Sequence, residues 1–377
     1  MTKAALKRDS SRTLNAEEMA AFGAELDALR DAVIRDLGAK DLAHLRRIQA
    51  AERRFEAAGR LLLHFGLGPL SFLGGVGMLA AAKILDNMEI GHNVMHGQYD
   101  WTKEPDLAGN RFEWDNVCAG EDWRHSHNFE HHTFTNIVGK DRDVGYALLR
   151  VTPEQPWNLS HLVQPISAVG LAFVFQWGVV IHDLRLDETL EGRQSWRGLF
   201  ARAKPFLRKA AGRLAKDYLF FPALALGNAP RVLLGNLLAN VVRNLWTFAV
   251  IFCGHFPEGV QMYPEPSEPE SRGAWYLRQL NGSANLEGGA LFHVMTGHLS
   301  HQIEHHLFPD LPAARYPELA PKVRELCTRY GQVYHTGSLP RQLASVFGKI
   351  VKYALPTSPV VGPPADSRVD ADGGVTI

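Results

Sequence analysis

The chain has 377 residues, enough for one large domain or two of ordinary size. Its 40 basic and 40 acidic residues cancel, so the net charge does not point to nucleic acid and we expect no such partner. The three cysteines, Cys118, Cys253 and Cys327, stand far apart without a CxxC pair, which argues against a disulfide framework or a thiolate metal site. The mean hydropathy of −0.15 resembles that of a soluble protein, but the apolar residues are concentrated in a few runs.

The first 59 residues predict a charged, helical N-terminal arm that is solvated or interfacial. Asn15 stands three residues before Glu18, which is the spacing of a capping box at a helix start. From Met19 to Leu37, apolar residues then recur every three or four positions, as on one face of a helix. The polar residues at the very start of the chain predict no signal peptide.

Three apolar regions predict membrane spans. Leu61–Ala82 and Leu162–Ile181 contain no aspartate, glutamate, lysine or arginine, and a span needs about 20 apolar residues. The third region, Tyr218–Phe256, holds either one span or a short hairpin of two, and Arg243 within it is costly in lipid unless it is buried against protein. We therefore expect three or four spans. The alternative is a soluble helical protein with buried core helices.

Two further segments, residues 197–216 and residues 356–377, have a distinctive composition. Residues 197–216 are basic with interleaved apolar side chains, which is typical of a helix at an anionic membrane surface or of an ordinary solvated basic face. Pro205 is predicted to divide this segment into two helices. Residues 356–377 are rich in proline, glycine and aspartate and are predicted to be a disordered tail.

Histidines form the most informative pattern of the sequence. Three pairs share a spacing of four residues, which places both rings on one face of a helix and lets them bind one metal ion. A single pair of this kind is weak, but three pairs, two of them with an additional histidine, indicate a metal site. Their number suits two ions, although imidazole alone does not choose between zinc, copper, iron and nickel. The pairs are His92 and His96, His127 and His131 with His132, and His301 and His305 with His306.

The order of these clusters resembles the integral-membrane fatty acid desaturase family. The third cluster contains the family's Q-x-x-H-H pattern as Gln302–His306, followed by Leu307-Phe308-Pro309. The similarity extends over roughly Leu61 to Leu355, and the first cluster, His92–Gln98, is most similar to that of actinobacterial acyl-CoA desaturases.

The resemblance implies an all-α integral membrane protein with three or four transmembrane helices and a cytosolic helical cap that holds a histidine-rich di-iron site. The membrane domain would comprise residues 60–355, between the arm of residues 1–59 and the tail. The enzyme would use O2 and two electrons to insert a double bond into a fatty acyl chain, carried as acyl-CoA or acyl-lipid.

The resemblance also implies the ligands of two iron ions. They are His92, His96, His127, His131, His132, His255, His301, His305 and His306. His125, His298 and Gln302 are not included among the ligands and are candidates for residues that orient them. Isolated residues are given structural roles: His44, His182 and His293 as structural or surface histidines, and Asp141–Asp143 as a local ion-pair turn.

Two alternatives stay open beside the desaturase. A fatty acyl or alkane hydroxylase would use the same scaffold and the same metal site. A non-catalytic metal-binding membrane protein, such as a transporter, would be expected to carry ionisable residues within its spans, and the charge-free runs argue against it. The sequence contains no haem-binding His-Pro-Gly-Gly segment, so we expect no fused cytochrome b5 domain. The electrons would then come from a separate ferredoxin, rubredoxin or flavin reductase. The family resemblance places the protein in the bacterial cytoplasmic membrane with its active site facing the cytosol.

Overall fold

A computed structural model describes residues 11–265 and 269–357 of the chain, and within these ranges it is almost entirely helical. The predicted disordered tail lies outside the described residues from position 358 onward. Two short strands, β1 (Asn285–Glu287) and β2 (Thr336–Ser338), form a parallel pair with Leu286 opposite Gly337.

The α-helices of the described residues are of very unequal length, and the shortest are single turns. In chain order they are α1 Ala16–Asp36, α2 Ala39–Phe65, α3 Gly68–Ile84, α4 Asn93–Met95, α5 Gly120–Trp123, α6 His132–Phe134, α7 Gln164–Phe173, α8 Phe175–Asp183, α9 Leu186–Leu190, α10 Trp196–Ala215, α11 Phe221–Leu224, α12 Ala229–His255, α13 Arg272–Asn281, α14 Ala290–Met295, α15 Gln302–Leu307, α16 Tyr316–Tyr330 and α17 Leu339–Ala354. Wider π-helical turns occupy Leu85–His92, Arg124–His131 and Lys216–Phe220.

The N-terminal arm packs onto the rest of the molecule. The capping box predicted at Asn15 is present, because its side chain accepts a hydrogen bond from the Glu18 N–H and the Glu18 carboxylate accepts one from the Asn15 N–H. Phe22 and Leu26 of α1 are fully buried in a core shared with α13, α15 and α16. Helix α2 continues without a break past residue 60, and the domain boundary at that position stays a prediction.

Two helices are long and apolar enough to cross a membrane: Gly68–Met95, which comprises α3, the first π-helical turn and α4, and Leu226–His255, which contains α12. A third candidate is the pair Leu159–Phe173 and Phe175–Leu190, which is bent by 104°. The described residues therefore hold two such helices, or three if the bent pair is one span. The apolar run that begins at Leu61 is interrupted by a turn in which Gly68 has φ +74°, so its first residues end α2.

Helix α10 corrects one expectation. It runs through Pro205 without a break, so the predicted division into two helices is wrong. Pro205 is exposed, as is Ala201, whose carbonyl loses its hydrogen-bond donor to the proline, and solvent or lipid headgroups can satisfy that carbonyl. On the face of α10 that packs against the rest of the molecule, Lys209 forms an ion pair with Glu113, and Arg213 forms one with Asp115.

Candidate metal centre

Two of the three histidine clusters lie at π-helical turns. Leu85–His92 continues the long helix that begins at Gly68, and Arg124–His131 follows the short helix α5. Such turns widen a helix by one residue and occur frequently at functional sites. His305 and His306 of the third cluster lie on α15, and His255 is the last residue of α12. The metal-binding candidates are thus presented by the ends of helices.

Eight of the nine predicted ligands come together in three overlapping groups. Within each group the candidate nitrogen atoms lie within 4.8 Å of one another. The groups are His92, His96, His127 and His305; His131, His255 and His306; and His132, His305 and His306. The shared residues His305 and His306 place the groups side by side, which is an arrangement suited to two neighbouring ions.

The orientation of the rings supports metal binding. The Nε2 atoms of His92, His131, His305 and His306 are buried and have no hydrogen-bond partner among the described residues. Their Nδ1 atoms are held from behind by the following side chains. His92 Nδ1 lies 3.0 Å from Asn93 Oδ1, His131 Nδ1 lies 3.0 Å from Asp141 Oδ1, His305 Nδ1 lies 3.4 Å from the Tyr316 hydroxyl and His306 Nδ1 lies 2.9 Å from Gln279 Oε1. A metal-binding histidine normally donates its second N–H to such a partner.

Burial also selects the protonation state that a metal requires. It lowers the pKa of His132, His305 and His306 well below the usual range, so these rings are neutral and able to donate a lone pair. Burial alone would lower the pKa of His131 too, but the adjoining Asp141 carboxylate outweighs it and raises that pKa. The same carboxylate strengthens the electron donation of this ring to a bound cation.

Two aspartates and a histidine have a larger role than expected. Asp141 holds His131, whereas Asp143 lies 3.6 Å from His127 Nδ1 and 3.1 Å from His182 Nε2. The interpretation of Asp141–Asp143 as only a local ion-pair turn is therefore wrong, although Arg142 does pair with Glu188. Sequence spacing contains no signal for these contacts, since a turn returns the loop to the histidines.

The remaining predicted residues lie in different surroundings. His301 is outside every group: its ring faces His293 at 4.6 Å between centroids, because residues 299–301 form a 3₁₀ turn and α15 begins only at Gln302. Gln302 Nε2 lies 3.0 Å from His255 Nε2. His298 Nδ1 lies 2.8 Å from Glu89, which belongs to none of the groups, and the His125 side chain is 56% exposed.

A cavity with a largely apolar surface reaches the histidines. His92, His127 and His255 line it on one side. Trp114 and Trp123 belong to its wall, and the Trp123 ring stacks on that of His127 with centroids 4.4 Å apart. The site combines a cluster of neutral imidazoles with an adjoining, largely apolar chamber.

Comparison with known proteins shows which family has this combination of histidines and apolar helices. Residues 67–338, well over half of the chain, match the profile of the family described as fatty acid desaturase. The chain belongs to the fatty acid desaturase family. It is therefore an oxidoreductase of lipid metabolism that introduces a double bond into an acyl chain, and the family together with the apolar helices makes it a membrane protein. The alternative of a non-catalytic metal-binding protein is excluded.

Individual relatives agree with this membership. A NADPH-dependent stearoyl-CoA 9-desaturase of Mycobacterium tuberculosis is 43% identical over 340 residues, which cover 89% of this chain and 80% of the relative. A sn-1 linoleoyl-lipid 6-desaturase of Synechocystis is 26% identical over 71% of this chain and 75% of its own length. Human fatty acid desaturase 3 is 26% identical over 61% of this chain and 49% of its own length. The expected likeness to actinobacterial acyl-CoA desaturases is confirmed.

Proposed function

We propose that this desaturase acts on a fatty acyl-CoA with two iron ions held by eight histidines. One ion would be bound by His92, His96, His127 and His305, the other by His131, His255 and His306, with His132 between them. The observation that supports this most directly is the convergence of buried Nε2 atoms without a protein partner. His301 is not included, because it lies apart from the groups.

Iron is the metal that suits the reaction. A methylene C–H bond has no acidic proton and no leaving group, and bound iron with O2 supplies the oxidising power that no side chain provides. In the overall reaction, two neighbouring methylene groups, O2, two electrons and two protons give one double bond and two water molecules. Neutral imidazoles hold iron and are compatible with open positions for O2.

The protein's own contribution is position and the exclusion of water. Asp141 and Gln279 hold the rings of His131 and His306 at fixed angles through hydrogen bonds to Nδ1. Phe175 and Trp123 give the adjoining chamber an apolar wall against which methylene groups can pack. An acyl chain in this chamber would lie directly beside His92 and His127.

The substrate and the electron source are inferred from the relatives. The bacterial relative at 43% identity is named for stearoyl-CoA and NADPH. Because this relative is named for a CoA thioester and covers most of the chain, we favour an acyl-CoA over an acyl-lipid. The two electrons would come from a separate ferredoxin, rubredoxin or flavin reductase, with NADPH as their origin.

The two long apolar helices support a proposal for the orientation in the membrane. Each of them ends close to a proposed ligand, at His92–His96 and at His255, so their metal-binding ends lie on the same side. We propose that this side faces the cytosol of a bacterial membrane. Helices α1, α13 and α16 would then form the cytosolic cap, and residues 60–355 the membrane desaturase domain.

Expression in a host that lacks its own desaturase tests the proposal. The wild-type chain should yield an unsaturated fatty acid when an electron donor is present, and the purified protein should contain iron. The variants His131→Ala and His305→Ala should lose both the product and iron. A product with an added oxygen atom would favour the hydroxylase, and a protein that contains zinc without iron would contradict the di-iron site.

A further inference from the structure

The cavity beside the histidines extends far from them along α12. His255 lies at one end of its lining and Arg243 at the other, and the helix between them is roughly 18 Å long at its usual rise per residue. Along α8 the lining likewise extends from His182 and Asp183 to Gln176. The cavity is therefore elongated, with the proposed metal site near one end only.

An adjoining surface cavity indicates an entrance at the metal end. A surface cavity that is lined by Glu121 and Arg202 shares Ser126, His182 and Asp183 with the elongated cavity. A chain that enters there passes His127 and continues toward Arg243. The methyl end of an acyl substrate would consequently point at the residues of the far end.

That far end, which we call the polar floor, consists of Asn87, Asn116, Gln176, Arg243 and Asn244. Asn116 donates a hydrogen bond to Asn87 Oδ1 at 2.8 Å. The buried Arg243 guanidinium donates to Asn244 Oδ1 at 3.2 Å and to the Asp115 carbonyl at 3.4 Å. Within residues 11–265 and 269–357 no ion pair of this guanidinium is found, and the two hydrogen bonds use its two terminal nitrogen atoms.

Charged residues continue behind the floor. A second, polar cavity is lined by Asn116, Gln176 and Arg243 on one side and by Lys83 and Asp217 on the other. Lys83 and Asp217 form a buried ion pair at 2.8 Å. The guanidinium therefore separates an apolar chamber from an internal charge network, and an apolar chain cannot extend beyond it without contacting charged groups.

We propose that the polar floor, through Arg243 and Gln176, sets the upper limit of acyl chain length in this desaturase. The inference rests on the proposed acyl-CoA function. Each methylene buried in the apolar part strengthens binding about fourfold. A methyl group pressed against the guanidinium instead covers a charged group and offers it no hydrogen-bond acceptor, which weakens binding by roughly tenfold or more. Binding should thus rise with chain length and then fall abruptly.

Binding of a graded series of saturated acyl-CoA thioesters tests this without turnover. In the purified wild-type enzyme, competition with a fluorescent acyl-CoA should show affinity increasing about fourfold per methylene up to one length and decreasing about tenfold beyond it. In Arg243→Leu the decrease should disappear, and longer substrates should be desaturated. In Gln176→Leu, which retains the guanidinium, the decrease should become smaller. Gln176→Leu protects the test against misfolding, because among the described residues no hydrogen bond to the Gln176 side chain would be lost.

The matched control is Asn240→Leu. Asn240 is on the same helix and bonds to Asp217 and Tyr218, but it lines only the second cavity. In Asn240→Leu, the acyl chain length beyond which binding falls should equal that of the wild type. An unchanged limit in both floor variants, or an equal shift in the control, would overturn the proposal. Failure of the proposed function appears differently, as a wild-type enzyme that binds the series but forms no unsaturated product.

Discussion

Removal of the Asp141 charge tests the part of the metal centre that the sequence did not reveal. The carboxylate is fully buried and lies 3.0 and 3.1 Å from His131 Nδ1 through its two oxygens. It also accepts hydrogen bonds from the backbone N–H groups of Asn136 and Asp143 at 2.7 and 3.0 Å. In Asp141→Asn one oxygen becomes an NH2 group, which cannot accept, and the partner of the ring loses its negative charge.

The expected magnitude follows from these contacts. Loss of the carboxylate behind a metal-binding histidine commonly lowers metal affinity 10- to 100-fold, and a hydrogen bond to a charged group contributes about 1.5–3 kcal/mol. We therefore expect Asp141→Asn to retain the iron proposed at His92, His96, His127 and His305. It should lose the iron proposed at His131, His255 and His306 about 10- to 100-fold more readily to a chelator.

The assay is iron content after graded chelation, with thermal unfolding measured in parallel to separate metal loss from misfolding. The control is Asp310→Asn, because Asp310 is a carboxylate of similar chemistry whose side chain is 43% exposed and pairs with Arg30 away from the histidines. Equal iron retention in Asp141→Asn and the wild type would refute the reasoning that this carboxylate supports a ligand.

Three other predictions use the same structure. His301→Asn should retain full iron content in purified protein, in contrast to His305→Ala, because His301 lies outside the ligand groups; iron loss in His301→Asn would restore it to the ligand set. Trp123→Ala should lower the free energy of unfolding by about 3–5 kcal/mol in detergent, since a buried ring stacked on His127 leaves a cavity, and a change below about 1 kcal/mol would count against that packing. Arg315→Met removes the partner that the buried Asp41 carboxylate has at 2.9 Å, and it should lower the free energy of unfolding by about 3–5 kcal/mol. The control Arg329→Met removes an exposed ion pair and should lower it by less than about 1 kcal/mol. Equal losses in the two variants, measured by chemical denaturation, would contradict this prediction.

The sequence was most informative where the signal is local. The capping box at Asn15 needs only residues that are close in the chain, and the structure contains it as predicted. Spacing of four residues likewise brings His92 and His96 into one group. The apolar run of Tyr218–Phe256 predicted a span, which α12 provides as a single helix rather than a hairpin.

Local spacing failed where the backbone left the regular helix. His301 and His305 have the same separation as His92 and His96, yet a 3₁₀ turn directs the His301 ring to His293. Pro205 was expected to end a helix, but an exposed proline leaves its freed carbonyl accessible and α10 continues. In both cases the surroundings of the residue, and not its type, determine the local structure.

The sequence by itself thus determined the family, the helical class and the set of histidines able to bind metal, because these depend on residue identity and short-range periodicity. Only the tertiary structure decided which histidines meet, which carboxylates stand behind them and what closes the cavity. Asp141 and Arg243 illustrate the physical reason. A buried charge takes its role from the groups that replace water around it, and those groups come from distant parts of the chain.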